Sequence, residues 1–352
     1  MNKILVINPG STSTKIAVYN NTQLEFQQSI RHSLDELQQF DSVIAQFDFR
    51  KDLVINVLQR ENIDLNTFSI IIGRGGMLRP VQSGVYQVNQ SMLDDLKIGQ
   101  QHASNLGAFI AWSLAEQIAG CRAYIADPVV VDELDDIARI SGLPQIPRRS
   151  TFHALNHKAV ARKYAEKIGK NYENLNLIIA HLGGGISIGA HRYGKVVDVN
   201  QGLDGYGAFS PERSGTLDAG DLTKLCFSGN YNQKEILQLL AGRGGLIAHL
   251  GTNSVSDIEE RATLGDGKSR ILLEAMAYNV AKEISALHAV LCGKTDAAIL
   301  TGGVAYCSIV TDKIKQMIGN FINVEVMPGE NEMEALAFAA LRVLNGEEAK
   351  QY

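Results

Sequence analysis

The sequence predicts an α/β chain built on a duplicated domain, and three stretches carry that prediction. Each is an apolar, β-branched run that ends in a glycine turn: Lys3 to Ile7 before Asn8-Pro9-Gly10, Leu175 to Ala180 before Gly183-Gly184-Gly185, and Ala297 to Leu300 before Gly302-Gly303. In the first two a second apolar run follows, Ile16 to Tyr19 and Ile186 to Ala190, so both read as hairpins. The third is weaker. One doubly wound unit does not readily supply three such turns. Two α/β copies with a nucleotide clamped between them do.

The first turn is rich in donors. Gly10, four hydroxyl residues from Ser11 through Ser13 to Thr14, and Lys15 lie between the two runs. Backbone N–H groups, hydroxyls and an ammonium suit the terminal phosphates of a nucleotide. A Walker loop would open a helix, whereas here a strand resumes. The plain alternative is an ordinary Ser/Thr-rich hairpin turn.

The remaining elements follow in order. Leu24 to Ile30 is a polar strand, and Leu34 to Arg60 is helix-like. Phe68 to Gly73 is an apolar strand that runs into Arg74-Gly75-Gly76, at the strand end where open α/β sheets keep their ligands. Tyr86 to Val88 is short and extended. Met92 to Ala119 is helical with a break near Gly99, and carries His102. Ala123 to Ala126 is a strand ending at Asp127-Pro128. Arg139 to Arg149 is loop-rich. Phe152 to Ile168 is predicted as a helix with His153 and His157 on one face. Ser269 to Leu291 is a long amphipathic helix, and Glu332 to Leu344 an apolar, alanine-rich one.

Composition narrows the function. The 352 residues are 45% hydrophobic with a net charge of −5, which argues against nucleic acid or an anionic membrane as partner. No apolar run approaches the roughly 20 residues of a membrane helix. The first strand begins within three residues of the N-terminus, leaving no room for a signal peptide, so a cytoplasmic protein is expected. Cys121, Cys226, Cys292 and Cys307 form no CxxC pair, which leaves them as small buried hydrophobes rather than zinc ligands or disulfides.

The motifs, taken in order, resemble the acetate and butyrate kinases of the sugar kinase, heat-shock 70 and actin superfamily. Arg148-Arg-Ser-Thr-Phe-His153-Ala-Leu-Asn-His157-Lys158 is similar to that family's RRYGFHGTSHK run, and Asn8-Pro-Gly-Ser-Thr-Ser-Thr-Lys15 to its NxGSSSxK opening. Arg74, His102, Asp127, His181-Leu-Gly, Pro211-Glu-Arg213-Ser-Gly, Thr301-Gly-Gly and Glu330-Asn-Glu332 follow in the family's order. Two departures stand out. Only Arg74-Gly75-Gly76 stands where acetate kinases have Arg-Val-Val-His-Gly-Gly, and Gly184 stands where they have Asn. The shorter length, Gly73-Arg-Gly-Gly76 and Pro211-Glu-Arg-Ser-Gly215 look like the butyrate kinase branch, which includes branched-chain carboxylate kinases.

The resemblance implies two ribonuclease-H-like, actin-like ATPase domains with a hinge and a nucleotide cleft between them: residues 1–131 plus 333–352, and residues 132–332. It implies ATP and ADP as nucleotides, Mg²⁺, a short-chain carboxylic acid or its acyl phosphate as partner, and a homodimer or higher homo-oligomer. Arg74, Asp127, His153 and Arg213 are the implied catalytic set. Arg74 would fork onto the acid, Arg213 and His153 would meet the transferring phosphoryl group, and Asp127 would organise Arg74 and the metal. Asn8, Gly10, Ser11, Ser13, Lys15, His181, Gly183, Gly184, Gly185, Asp257, Gly302 and Gly303 are the implied nucleotide-binding set. Asn8 and Glu332 would hold the magnesium, with Glu330 and Glu334 as alternatives to Glu332. Several positions keep two readings: His157 and His102 as scaffold or site, His181 likewise, and Asp257 as a ribose contact or a helix cap.

A carboxylate is already ionised at neutral pH, so its phosphorylation needs charge neutralisation and alignment, not a general base. The expected reaction is ATP plus butyrate, or a branched acid such as isobutyrate, giving ADP and the acyl phosphate. A non-catalytic ATP-binding module of the same superfamily is the alternative. Gly76 is expected to leave open the space that a valine walls in acetate kinases.

Overall fold

The computed structural model describes residues 2–203 and 206–352. The chain divides into two compact units, residues 1–131 with 331–352 and residues 132–330. The return to the first unit falls two residues before the expected 333, so Glu332 belongs to the first unit.

The first unit holds a six-stranded sheet. Strands β1 (Lys3–Pro9), β2 (Ser13–Asn20) and β3 (Gln23–Arg31) form an antiparallel meander, and β4 (Phe68–Arg74) lies parallel to β1. β5 (Val85–Gln87) and β6 (Arg122–Ala126) complete the order β3-β2-β1-β4-β6-β5. Ile4 through Ile7 are all fully buried. A central strand covered on both faces has to be apolar throughout, whereas the edge strand β3 remains mostly exposed and polar. Leu5 and Ile7 pack with Val54 and Leu58 of the helix Phe47–Arg60 and with Ile110 of the helix Asn105–Ala115. A Cβ on Gly73 would collide with the backbone of Gly107, so paired glycines seat that second helix on the end of β4, where Arg74 begins the site.

The second unit holds five strands: β7 (Asn176–Leu182), β8 (Ile186–Arg192), β9 (Lys195–Val199), β10 (Ala297–Thr301) and β11 (Val324–Val326), in the order β11-β10-β7-β8-β9. Leu177 and Ile179 pack under the helix Ala154–Lys167, while Ile178 and Ala180 join Met276, Val280 and Val310 from the helices Gly267–Val290 and Ser308–Ile318. Alternation along one strand thus feeds two cores.

Reading β9-β8-β7-β10-β11 beside β3-β2-β1-β4-β6 shows the duplication directly: three antiparallel strands, then two parallel ones. The turn at Gly302-Gly303 ends the counterpart of β4, which is why no hairpin follows it. Two local expectations are corrected. His153 is the residue before the helix, at φ −77° and ψ 58°, not a member of its face. Four helices between residues 219 and 263 (Ala219–Cys226, Gln233–Leu240, Gly245–Leu250 and Val255–Thr263) were not placed by the sequence reading, beyond the helix cap weighed at Asp257. Asn232 and Glu235 form a reciprocal capping box, a signal present in the sequence as N-x-x-E before an apolar run.

Candidate active site

In the first unit the hairpin turn closes through Gly10 N–H donating to Ser13 O at 2.7 Å. Ser11 and Lys15 are exposed and Ser13 is half-buried, so the donor side of the turn faces outward. Its carbonyl side is held from within by a residue the sequence reading missed. Arg50, 1% exposed on the helix Phe47–Arg60, donates from Nη1 to Gly10 O (2.7 Å) and Ser13 O (3.2 Å), and from Nη2 to Ser11 O (3.0 Å). Gln46 Oε1 accepts from Nη2 at 2.8 Å and anchors the guanidinium. Burial lowers the Arg50 pKa to about 10, so it is still cationic at neutral pH. With the carbonyls drawn to an internal cation, the turn presents positive potential to an anion.

Next to this turn, at the end of β1, Asn8 meets Glu332 and Arg74. Asn8 Nδ2 donates to Glu332 Oε2 at 2.7 Å, and Arg74 spans both carboxylate oxygens, Nη1 to Oε2 at 3.2 Å and Nη2 to Oε1 at 3.1 Å. Asn8 Oδ1 accepts from Arg74 Nη1 at 3.4 Å. The three residues come from β1, β4 and the first turn of the helix Glu332–Leu344. Asp127 follows β6, whose Ala126 pairs with Arg74, and its carboxylate accepts from Ser83 Oγ (2.6 Å) and Gly84 N–H (2.8 Å). Near them, the Nδ1 of His102 accepts from the Ser104 backbone N–H at 3.2 Å, which leaves the ring proton on Nε2. Burial first and the Arg74 charge second lower its pKa, which keeps the imidazole neutral.

Among the described residues no cluster of three His, Cys, Asp or Glu side chains could hold a metal ion. Mg²⁺ is usually held by one or two carboxylates and by phosphate oxygens and water. The Glu332 carboxylate beside the Asn8 amide is such a donor set. Glu330 lies elsewhere, against His181, and Glu334 accepts from Asn331 Nδ2 at 3.4 Å.

Gly76 is there for another reason than an open acyl pocket. A Cβ at this position would come within 2.7 Å of Asn105 Cα and 2.9 Å of Leu96 Cδ2. Asn105 is 2% exposed and ties the segment together by accepting from Met77 N–H (2.9 Å) and donating to Gln100 O (3.0 Å). The missing side chain makes room for Asn105, so the expected open space is corrected.

In the second unit the glycine turn after β7 is packed on three sides. A Cβ on Gly183 would lie 2.9 Å from Glu330 Oε1 and 3.0 Å from His181 Nε2. One on Gly184 would lie 3.1 Å from the Glu212 carboxylate, and one on Gly185 would collide with the Arg213 guanidinium. The three glycines therefore let Arg213, Glu212 and His181 close onto the turn. Ser210 Oγ donates to Gly184 O (2.6 Å) and accepts from Arg213 N–H (3.1 Å), fixing the 210–213 loop against it. His153 and His181 stack, with ring centroids 3.9 Å apart and planes 13° from parallel. His181 Nε2 lies 3.2 Å from Glu330 Oε1. Gly302, at φ +89°, follows β10 and packs on the Leu182 backbone, and nothing lies within 4 Å of a Cβ on Gly303. Asp257 is exposed in the first turn of its helix, and the cap there is Ser254.

Each unit thus carries its own set of candidates: Asn8, Arg74, Asp127 and Glu332 beside a phosphate-type hairpin, and His153, His181 and Arg213 around a glycine turn. Residues 145–340 match the model of the acetokinase family. The chain is 52% identical to butyrate kinase 2 of Clostridium acetobutylicum over 353 aligned positions, covering 99% of each chain. In fold it is similar to an acetate kinase of Porphyromonas gingivalis (TM-score 0.77, 19% identity, 98% of this chain and 100% of that one). A propionate kinase of Francisella tularensis is also similar (TM-score 0.74, 20% identity, 96% and 98%).

Proposed function

The chain belongs to the acetokinase family and is a carboxylate kinase, and we propose that its substrate is butyrate or a branched short-chain acid such as isobutyrate. The observation that carries the choice of acid is the near full-length, 52% match to a butyrate kinase. ATP and ADP are the nucleotides of this family; the proposal adds Mg²⁺, a homodimer or higher homo-oligomer, and a cytoplasmic setting. Among the described residues no helix is long and apolar enough to cross a membrane.

In the proposed mechanism a carboxylate oxygen of the acid attacks the γ-phosphorus in line, and the bond to the β-bridging oxygen breaks. No proton moves, because the nucleophile is already an anion and the leaving group departs as one. The difficulty is two anions meeting, and the chain's own cations answer it. Arg74, held in place through Nη1 and Nη2 by Glu332, offers its Nε edge to the acid. Arg213, locked against Gly185, meets the phosphoryl oxygens as charge shifts onto them. His153 donates one hydrogen bond to the same oxygens. The N–H and hydroxyl donors of Ser11 and Ser13, with Lys15, hold phosphate on the turn that Gly10 closes. Magnesium, held largely through water by Asn8 and Glu332, would supply further charge neutralisation.

Trapping the product with hydroxylamine tests this reading. With ATP and Mg²⁺, butyrate or isobutyrate is expected to give the most hydroxamate in the series acetate, propionate, butyrate, isobutyrate and valerate. A clear preference for acetate would overturn the choice of acid, and ATP consumption with no hydroxamate from any acid would overturn the reaction.

A further inference from the structure

Strand β8 reads Ile186-Ser187-Ile188-Gly189-Ala190-His191. Its Ile186, Ile188 and Ala190 face the apolar core, so alternation turns Ser187, Gly189 and His191 to the opposite face. Under that face lie His153 and His157. Ser187 Oγ is 2.8 Å from His153 Nδ1 and 2.9 Å from His157 Nε2. His157 Nδ1 is 3.2 Å from His191 Nε2, and His191 Nδ1 is 2.6 Å from the Tyr172 hydroxyl. A Cβ on Gly189 would press on His157 Nδ1 at 3.3 Å, so the glycine leaves the two rings room to stack. Ser187, His157 and His191 are fully buried, and Tyr172 is 3% exposed. Four hydrogen bonds therefore run in series from the interior to the histidine beside the glycine turn.

We propose that Tyr172, His191, His157 and Ser187 form a one-directional hydrogen-bond chain that holds His153 as its Nε2–H tautomer, each being a positioning residue for phosphoryl transfer. The proposal rests on the reading of His153 as a donor to the phosphoryl group. Its logic is that each link contains one hydrogen and each neutral imidazole carries one N–H. The fully buried Ser187 hydroxyl must use its one hydrogen on one of its two ring neighbours, so the direction of a single link then fixes every other. Both inner rings are neutral: burial first, then neighbouring histidine and lysine charge, hold His157 and His191 well below the ordinary imidazole pKa.

Only two directions exist. A phenol oxygen, its lone pair drawn into the ring, gives its proton more readily than it accepts one, and 2.6 Å is a short O–H to nitrogen contact. Tyr172 therefore donates to His191 Nδ1, and the proton of His191 sits on Nε2 and points at His157 Nδ1. His157 Nε2–H donates to Ser187 Oγ, and the Ser187 hydroxyl donates to His153 Nδ1. The one remaining ring proton of His153 is then on Nε2, on the edge of the ring away from Ser187, as donation to a phosphoryl oxygen requires. The opposite direction would place a lone pair there and repel that oxygen. An orienting acceptor or donor behind a working imidazole is how other sites select a tautomer.

The test is spectroscopic and kinetic. In histidine-¹⁵N-labelled full-length protein, long-range ¹H–¹⁵N spectra near neutral pH are expected to show Nε2 protonated and Nδ1 unprotonated at His153, His157 and His191, with His153 assigned by loss of its signals in His153→Gln. An Nδ1–H tautomer or a doubly protonated ring at any of the three would overturn the chain. Tyr172→Phe keeps the ring and its packing and removes only the terminal donor. It is expected to lower kcat about tenfold, to leave KM for ATP and acid within about twofold, and to shift the His153 nitrogens towards a mixture of tautomers. Unchanged kcat and unchanged His153 signals in a folded variant would overturn it. Full kcat in His153→Ala would instead remove the donor role of His153, an outcome distinguishable because the wild-type spectrum reports the tautomer whatever the kinetics.

Discussion

In the proposed mechanism Arg74 and Arg213 bring the same charge to different moments of one reaction. Arg213, set against the glycine turn, is matched to charge that develops during transfer, so Arg213→Ala is expected to lower kcat by several orders of magnitude with a smaller change in KM for ATP. Unchanged kcat in a folded variant would remove it from the mechanism. Arg74→Ala is expected to act chiefly on KM for the acid, because a fork onto a carboxylate already exists in the ground state. Steady-state kinetics varying the acid check this, and a change confined to the KM for ATP would contradict it. Gly76→Val, which would drive a side chain into Asn105, is expected to lower activity on every acid from acetate to valerate alike and to lower Tm. A selective gain on acetate would show that Gly76 does border the acyl pocket. Residue identity was legible where a motif named it. Arg50 was not: along its helix it looks like any surface arginine, and the carbonyls it holds lie 37 to 40 positions away in sequence. Gly76 was misread because an absent side chain does not show which neighbour needs the space.

At the scale of elements, the turn after β1 and the helix Phe47–Arg60 act as one device. Arg50→Met would leave the carbonyls of Gly10, Ser11 and Ser13 without their internal donor. The cost is about 1–3 kcal/mol for each buried group left unsatisfied, reduced where water reaches it. The expected outcome is a raised KM for ATP, a lower Tm, and faster amide exchange over residues 10–15. Unaltered exchange there would show that the turn holds its shape without the guanidinium. Most strands were legible because a central strand covered on both faces has to be a continuous apolar run. Short edge strands such as β11, half-buried throughout, carry no such pattern. The start of the helix at Ala154 was placed too early because His153 and His157 have helical spacing. They meet instead at Ser187, on a strand 30 to 34 residues further on, and that convergence is a product of topology.

At the scale of the whole molecule, the buried neutral histidines His32, His157 and His191, together with the half-buried His102, make stability depend on pH. Burial first and the Arg50 charge second lower the His32 pKa to about 4, and His157 and His191 lie well below the ordinary value. In the unfolded chain each takes up a proton below about pH 6.5, whereas the folded chain refuses it. Their stabilisation is therefore complete above about pH 6.5 and falls as pH drops towards the folded values, by up to about 1.4 kcal/mol per pH unit for each histidine. Urea melts at pH 7.5, 6 and 5 are expected to show a falling midpoint, and a midpoint that rises on acidification would contradict the assignment. The duplicated architecture was legible from three glycine turns. The helices between residues 219 and 263 escaped because they are short, with Ala219–Cys226 and Gln233–Leu240 largely exposed and only one or two buried residues, such as Leu246 or Ile258 and Ala262, on the others.

The return of residues 331–352 to the first unit also bears on how the protein is made. On the ribosome the second unit has its whole sequence, residues 132–330, before the first unit does. The unit begun first is completed after the second, lacking the helix Glu332–Leu344 and the pairing of Lys350 with β5 until residues 331–352 follow. Arg74 has no carboxylate to hold it until Glu332 emerges. The six strands of the first sheet are thus made by residue 126, yet the sheet waits for its covering helix Glu332–Leu344 while the whole second unit is synthesised.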